Sequence, residues 1–319
     1  MNWQTKKESR LVYYLDTSAI NKFADILKPQ DAFATRKLAR QRKKAWVLSP
    51  LNLYEIFNTK DEKRRETIIC RMAQFYSLPG CIFSTPTRIL FYNILKYESQ
   101  KTEFESSLYE AWFEITKNNK KTFIIDYNNF KKRDKNIKAF NRVIKWIIID
   151  YIPKEPNKKS KDEIILPYIL YKQIKVFSPN EDLHKGNDEK RLFYLKLILV
   201  LGIFCFGIEP ESIFLDNYWK LKKINSTNDR FVYICTNFHS KIFESEVIDI
   251  MAKFLLFQSK QKKGIDRGAF RDSLHLIYCW YADLFITCDK DIYKFSKKED
   301  FLNERVVLLS NENLERIKI

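Results

Sequence analysis

The sequence predicts an α/β fold with a central parallel sheet that is interrupted by a mostly helical segment. Two short apolar runs support this prediction, Leu11–Leu15 near the start of the chain and Leu284–Thr287 near its end. Such runs are typical of strands buried on both faces of a parallel sheet. An aspartate follows each run within two residues. Open α/β sheets bind their ligands at the carboxyl ends of such strands.

The element after the first strand is predicted to be a helix. Asp16 ends the apolar run, Thr17 and Ser18 are helix-capping residue types, and Ile20 begins an apolar periodicity that reaches Leu27. Two interpretations of Asp16 are open at this point. Its carboxylate either caps the helix or lies free at the carboxyl edge of the sheet as a ligand.

A second strand–helix pair follows. Trp46–Leu48 predicts a short strand, and Ser49 with Pro50 predicts a helix that begins with a cap and a proline at its first position. The helix is apolar except for Glu55. Burying an unpaired carboxylate is costly, so Glu55 is expected to have a partner such as a metal ion or a basic side chain.

Residues 86–264 differ in character and predict a helical insertion. The apolar run Leu195–Ile208 is too short to span a membrane and contains Lys196, so it predicts a buried helix. A strand is predicted over 81–84, and helices over 61–77, 86–100, 104–118, 137–150, 164–176, 189–206 and 239–259.

The last part of the chain returns to the α/β pattern. Phe270–Tyr281 predicts a helix with Asp272 and His275 one turn apart near its start. Leu284–Thr287 and Val306–Leu309 predict the last two strands. The helix residues at core spacing are Leu274, Ile277, Tyr278 and Tyr281.

Composition indicates the class of partner. The formal net charge is +17, from 57 Lys and Arg against 40 Asp and Glu, which favours a polyanionic partner. An AT-rich genome would also produce this excess of lysine, so the charge supports nucleic-acid binding without establishing it. The six cysteines form no CxxC pair, and the polar N-terminus resembles no secretory signal. We therefore expect a cytoplasmic protein with reduced thiols and no membrane partner.

Four acids stand at positions that the predicted sheet would gather. If the strands before Asp16 and Asp289 are neighbours, these two carboxylates meet at one edge, and flanking helices can deliver Glu55 and Asp272. Clustered carboxylates repel one another unless a hard cation such as Mg²⁺ or Mn²⁺ lies between them. Such a site suits metal-assisted phosphodiester hydrolysis.

The chain resembles the PIN domain nucleases, a family that includes many bacterial toxins of toxin–antitoxin pairs. The matching stretches are LVYYLDTSAI, SPLNLYEIF, RDSLHLIYCWYADLFITCDKDIYKF and the closing VVLL. The resemblance covers residues 10–85 and 265–315, under half of the chain. It implies a three-layer αβα fold, in which 1–85 and 265–319 form one PIN-like domain and 86–264 is inserted.

The resemblance also implies a function and its residues. It implies cleavage of RNA, or of single-stranded DNA, with Mg²⁺ or Mn²⁺ as cofactor and an antitoxin or another protein as a partner. The metal ligands and catalytic acids would be Asp16, Glu55, Asp272 and Asp289, supported by Thr17, Ser18, His275, Thr287 and Asp291. Asp291 is alternatively a solvent-facing acid, and His275 a packed helix residue rather than a general base.

Two basic runs are candidates for contact with phosphates. Their residues are Arg40, Arg42, Lys43 and Lys44 in the first run, and Lys260, Lys262 and Lys263 in the second, which is predicted to be a loop. The alternative is a solvated helix face, the usual role of a basic run. Two functional hypotheses follow, a metal-dependent endoribonuclease and a non-catalytic nucleic-acid-binding scaffold with a PIN-like fold.

Overall fold

The computed structural model of the protein describes residues 11–26, 44–57, 59–75, 86–96, 188–206, 213–262 and 268–310. Several predictions from the sequence lie outside these residues: the strand over 81–84, the helices over 104–118, 137–150 and 164–176, and the basic residues Arg40, Arg42, Lys43 and Lys263. None of the helices in the described ranges combines the length and apolar character that crossing a membrane requires.

Four parallel strands form the sheet, which confirms the predicted α/β class. They are β1 (Leu11–Leu15), β2 (Lys44–Val47), β3 (Leu284–Thr287) and β4 (Val306–Leu308), in the spatial order β2-β1-β3-β4. Strands β1 and β3 are neighbours, with Leu15 opposite Ile286. The strands before Asp16 and Asp289 are therefore neighbours, as the predicted site requires.

The described residues fall into two compact units. The first contains the four strands with residues 11–26, 44–57, 59–75 and 277–310, and the second contains 87–96, 188–206, 213–262 and 268–276. The first unit includes helices α1 (Thr17–Ile26), α2 (Pro50–Phe57) and α3 (Glu62–Phe75).

Strand β1 becomes more buried toward its carboxyl end. Leu11 is half exposed at the start of the strand, whereas Tyr14 and Leu15 at its end are fully buried. The ring of Tyr14 lies 4.6 Å from that of Tyr278 and 5.4 Å from that of Phe285, measured between centroids. The packed end of the strand therefore holds the following residue, Asp16, in a fixed place.

An ion pair joins α1 to α3. Both Nη atoms of Arg64 bind the carboxylate of Asp25, and Nη2 also donates to the carbonyl of Asn21 at 3.0 Å. The hydrogen bond from Arg64 holds the pKa of Asp25 below its ordinary value, although burial opposes the shift. The carboxylate is 52% exposed, so solvent screens this pair.

Replacing Asp25 by Asn is expected to lower the free energy of unfolding at pH 7 by at most about 1 kcal/mol. The pKa of Asp25 is lower in the folded than in the unfolded chain, where it is about 3.9. The pair therefore stabilises the fold above that pH, and its contribution is lost as the pH falls through the folded-state pKa. Urea unfolding at pH 7 and pH 3 measures this. The control Glu304→Gln, at an exposed acid, should change the free energy of unfolding by less than about 0.5 kcal/mol at pH 7. If Asp25→Asn lowers the free energy of unfolding as much at pH 3 as at pH 7, the ion pair is not the cause of the loss.

The second unit is helical. It contains α4 (Pro86–Leu95), α5 (Asp188–Val200), a π-helical turn (Leu201–Phe206), α6 (Ile213–Leu221), α7 (Thr227–Phe243), α8 (Glu246–Lys262) and α9 (Ala269–Leu276). The predicted helices over 86–100 and 189–206 are confirmed with shifted bounds. Back in the first unit, Ile277–Trp280 forms a 3₁₀ turn, and α10 (Lys290–Ser296) and α11 (Asp300–Asn303) follow β3.

The predicted helix over 239–259 is wrong in its bounds. Helix α7 ends at Phe243 and α8 begins at Glu246, while α6 and most of α7 were not predicted. The break between α7 and α8 contains neither Gly nor Pro, so the apolar periodicity gives no sign of it. Helix α7 begins where Ser226 Oγ accepts a hydrogen bond from the N–H of Asp229, a capping signal in a polar stretch.

The interpretation of Lys196 as part of a buried helix is confirmed. Its Nζ lies 2.5 Å from Oδ1 of Asp249 on α8 and donates to the carbonyl of Phe243 at 3.3 Å. Burial acts to raise the pKa of Asp249, but hydrogen bonds from Lys196 and Lys253 outweigh it, and the pKa is lowered. The charged residue in this apolar run therefore joins α5 to α8.

The prediction that Tyr281 faces the core is wrong. The α-helical geometry ends at Leu276, and the 3₁₀ turn that follows has about three residues per turn. The change of period keeps Tyr278 fully buried but leaves Tyr281 38% exposed.

Candidate functional site

Asp16 lies directly after β1 and is 3% exposed. Its backbone N–H donates to the carbonyl of Ile286 on β3 at 3.0 Å. Its Oδ1 accepts hydrogen bonds from the N–H of Ala19 and from Oγ of Ser18, both at 2.7 Å. Asp16 is therefore the cap of α1, which confirms the first of its two interpretations, and Thr17 is the first residue of the helix.

The second oxygen of Asp16 faces a residue from the far end of the chain. Oγ1 of Thr287, which is fully buried, donates to Asp16 Oδ2 at 2.5 Å. The same Oγ1 accepts from the N–H of Asp289 at 2.8 Å, and the N–H of Cys288 donates to Ser18 Oγ at 2.9 Å. Helix capping requires none of these contacts. They join the carboxyl ends of β1 and β3 and fix the two aspartates at one edge of the sheet.

Asp289 is the cap of α10. Its Oδ1 accepts from the N–H of Asp291 at 2.6 Å and from that of Ile292 at 3.1 Å. From the described residues, no hydrogen bond reaches its Oδ2, and the side chain is partly exposed. Asp289 can therefore cap its helix through one oxygen and still offer the other to a ligand. Asp291 beside it is also partly exposed, with its backbone N–H directed to Asp289.

Asn52 is a residue of this edge that the sequence analysis did not identify. It is fully buried on α2. Its Nδ2 donates to the carbonyl of Leu15 at 3.1 Å and to Oγ1 of Thr17 at 3.3 Å, on either side of Asp16. Its Oδ1 accepts from the N–H of Ser49 at 2.9 Å, and Ser49 Oγ accepts from the N–H of Asn52 at 3.1 Å. The sequence does carry a signal for Asn52, namely a side-chain amide within an otherwise apolar helix. Burying such an amide is costly unless its polar atoms are hydrogen-bonded.

The reciprocal bonds between Ser49 and Asn52 form a capping box. They confirm the predicted cap at Ser49 with Pro50 at the first helical position. The hydroxyl groups of Ser49 and Tyr14 lie 3.0 Å apart, so the cap also packs against β1. Helix α2 is thereby fixed to the end of β1 through an amide.

The other two predicted acids have different positions. Glu55 is partly exposed in α2, whose seven other residues are buried, and lies about 9 Å along the helix axis from the cap. Asp272 is partly exposed in the first turn of α9, and His275 is buried one turn later. Asp272 and His275 belong to the second unit, whereas Glu55 belongs to the first. The approach of Glu55 and Asp272 to the Asp16–Asp289 edge stays a prediction.

The donor chemistry of the edge fits a hard cation. Carboxylates and hydroxyl groups are oxygen ligands, and Mg²⁺ commonly binds proteins through one or two carboxylates while it keeps several waters. In the ranges that the structure describes, no group of three or more His, Cys, Asp or Glu side chains is placed to hold a metal ion. The fit therefore rests on the pair Asp16 and Asp289.

The charges near this edge act on Cys288. Burial raises the pKa of its thiol to about 11, the carboxylate of Asp16 acts in the same direction, and Lys22 on α1 acts against them. The raised pKa disfavours the thiolate form of Cys288 in the metal-free protein. Lys22 is a nearby positive charge that the sequence analysis did not identify.

The predicted basic residues are only partly described. Lys44 is the first residue of β2. Lys260 and Lys262 lie in the last turn of α8, so the prediction of a loop is wrong for these two residues, and their contact with phosphate stays a prediction. The exposed Lys260 forms an ion pair with Asp188 of α5. This pairing reduces the charge that Lys260 can offer to a phosphate.

Comparison with known proteins gives one partial similarity. The chain matches no protein-family profile and no solved structure. It is similar to the DNA ligases of three strains of Buchnera aphidicola subsp. Acyrthosiphon pisum, each 34% identical over 83 residues. The shared stretch is 25% of this chain and 12% of each ligase, so the chain spans a small part of these relatives.

Proposed function

We propose that this protein is a divalent-metal-dependent nuclease with a PIN-like three-layer fold that hydrolyses RNA. The observation that carries the proposal is the meeting of Asp16 and Asp289 at the carboxyl edge of neighbouring strands, through Thr287. The charge of +17 supports a polyanionic substrate. The partial similarity to DNA ligases, which are named for their action on DNA, supports a nucleic-acid substrate.

The residues of this chain have distinct parts in the proposal. Asp289 and Asp16 would hold the ion through their carboxylates, Asp16 after one of its hydroxyl donors turns away. Ser18 and Thr287 can rotate their hydroxyl groups, so they release an oxygen of Asp16 without a change of backbone. A bound Mg²⁺ or Mn²⁺ would lower the pKa of a water and stabilise charge on the phosphate. Glu55, in the same unit, is a further ligand in this proposal, and the role of Asp272 stays a prediction from the sequence.

A cleavage assay on the full chain tests the nuclease proposal. Labelled single-stranded RNA, single-stranded DNA and duplex RNA are incubated with Mg²⁺ or Mn²⁺, or with EDTA. We expect products from RNA only when the metal is present. Undiminished cleavage in EDTA would contradict the metal-dependent mechanism.

The second candidate is a nucleic-acid-binding scaffold without turnover. It is favoured by the present hydrogen bonds of Asp16, which engage both oxygens inside the fold. Binding that needs no metal, with no product after long incubation, would support the scaffold. Both candidate functions include binding to an antitoxin or another partner protein. Co-purification with the protein encoded by the neighbouring gene tests this part of the proposal.

A further inference from the structure

The second unit has a basic and aromatic surface that the sequence analysis did not identify. It lies on the end of α6, the following turn and α7. From the start of α6 at Ile213 to Glu244 at the end of α7 there are five Lys and Arg against three acids, Asp216, Asp229 and Glu244. We call it the lysine–aromatic surface, and its residues are Lys220, Lys222, Lys223, Tyr233, Phe238 and Lys241.

The internal contacts of this segment leave the four lysines on the outside. Arg230 is directed inward, with its guanidinium 5.7 Å from the ring centroid of Trp219 and Nη1 3.4 Å from the carbonyl of Cys205. The carboxylate of Asp229 accepts a hydrogen bond from Ser226 at the start of α7. The lysines of the surface are exposed, and the described residues place no carboxylate within ion-pair distance of them. The local field is therefore positive.

Two partly exposed aromatic rings lie beside two of these lysines, Lys222 and Lys241. Nζ of Lys222 is 6.0 Å from the ring centroid of Tyr233, and Nζ of Lys241 is 5.6 Å from that of Phe238. The two rings are 6.1 Å apart. Lysine side chains can move from a ring to a phosphate, and the ring face is then open to a base.

A kink in α7 positions Phe238. Phe238 has non-helical backbone angles, φ −130° and ψ 19°, inside the helix. Nδ2 of Asn237 donates to the carbonyl of Tyr233 at 2.8 Å, so a side chain enters the helical hydrogen-bond ladder at this point. The kink turns Phe238 away from the regular helical position, next to Tyr233 and Lys241.

We propose that the lysine–aromatic surface binds single-stranded nucleic acid, with lysines at the phosphates and the rings of Tyr233 and Phe238 stacked on bases. Interleaved cations and aromatic rings are the means by which proteins bind single strands, because every base offers a π-face. A duplex hides its bases, so it can use only the lysines. The inference concerns binding and does not rest on cleavage at Asp16 and Asp289.

The experiment measures affinity by fluorescence anisotropy on the full chain carrying Asp16→Asn, so that cleavage does not remove the probe. The probes are short labelled oligouridylate, oligothymidylate and a duplex of the same length, each at several salt concentrations. Two lysines are neutralised in Lys220→Gln/Lys223→Gln. The control Lys60→Gln/Lys63→Gln removes the same charge from two exposed lysines of the first unit.

We expect the Lys220→Gln/Lys223→Gln pair to weaken single-strand binding about tenfold and to reduce the slope of log affinity against log salt by about 1.4. The control should weaken binding less than about twofold. Phe238→Leu should weaken single-strand binding at least about fivefold while duplex binding stays the same. A melting curve shows whether the leucine variant is folded, and the lysine pair tests the surface independently of it.

Three results would overturn the inference: equal losses in the lysine pair and its control, no loss in either, or equal losses for single strand and duplex in Phe238→Leu. Comparison of the two oligonucleotides decides between RNA and DNA as the strand. If wild-type cleavage fails while the surface variants lose binding, the nuclease proposal is wrong and the surface remains. If cleavage holds while the variants bind normally, the surface inference is wrong.

Discussion

Asp16→Asn is expected to reduce metal-dependent cleavage of RNA by at least about a thousandfold, the rate equivalent of about 4 kcal/mol of barrier. The amide has one oxygen and no negative charge, so the site loses a ligand for the cation and the stabilisation that the cation supplies. The initial rate of product formation under saturating Mg²⁺ or Mn²⁺ measures the effect.

The same substitution should leave the fold intact. Asn is as good a helix cap as Asp, so the hydrogen bond from the N–H of Ala19 is kept. The hydroxyl of Thr287 can rotate to accept from the new amide instead of donating to Asp16 Oδ2. We expect a loss of about 1 kcal/mol of unfolding free energy. Asp300→Asn, at an exposed acid on α11, is the matched control and should keep full activity. Full activity of Asp16→Asn would remove this residue from the site.

Asn52→Ala is expected to be the most destabilising of the polar substitutions considered, by about 3 kcal/mol. The change leaves the N–H of Ser49 and the carbonyl of Leu15 without their side-chain partner in a buried region. It also opens a small cavity beneath the end of β1. Denaturant unfolding measures the loss as a lower midpoint with an unchanged slope.

The control for Asn52 is Asn217→Ala, at an exposed position on α6, where the change should be within about 0.5 kcal/mol. Since Asn52 orients the chain on both sides of Asp16, the Asn52→Ala protein should also lose cleavage at temperatures where it remains folded. A stability loss below about 1 kcal/mol would show that the amide is not the connection between α2 and β1 that its hydrogen bonds indicate.

The parallel sheet could be predicted because its signals are local. Leu11–Leu15 and Leu284–Thr287 each combine a short apolar run with an acid at the end, and parallel strands with helical crossovers bring such ends to one edge. The pairing of these strands, which brings together Asp16 and Thr287 from positions 271 apart in the chain, was the condition on which the predicted site depended. The cap at Ser49 was equally readable, since Ser-Pro specifies both the cap and the first helical residue.

Other features depend on contacts that the sequence does not reveal. The carboxylate of Asp16 caps α1 and also accepts a hydrogen bond from Thr287. This double role depends on the spacing between β1 and β3. The role of Asn52 depends on how α2 packs on β1, so its amide was visible in the apolar helix but its partners Leu15 and Thr17 were not. The break at Glu244–Ser245 and the kink at Phe238 arise without Gly or Pro, and local propensity does not mark them.

Titration of Mn²⁺ into the protein by isothermal calorimetry tests the central claim most directly, that Asp16 and Asp289 together hold a divalent cation. Asp289→Asn retains a good cap for α10, so it removes charge and keeps the helix start. The account predicts that the wild type and Asp300→Asn bind Mn²⁺ alike, and that Asp16→Asn and Asp289→Asn each lose this binding. Equal Mn²⁺ binding in all four proteins, or none in the wild type, would contradict it.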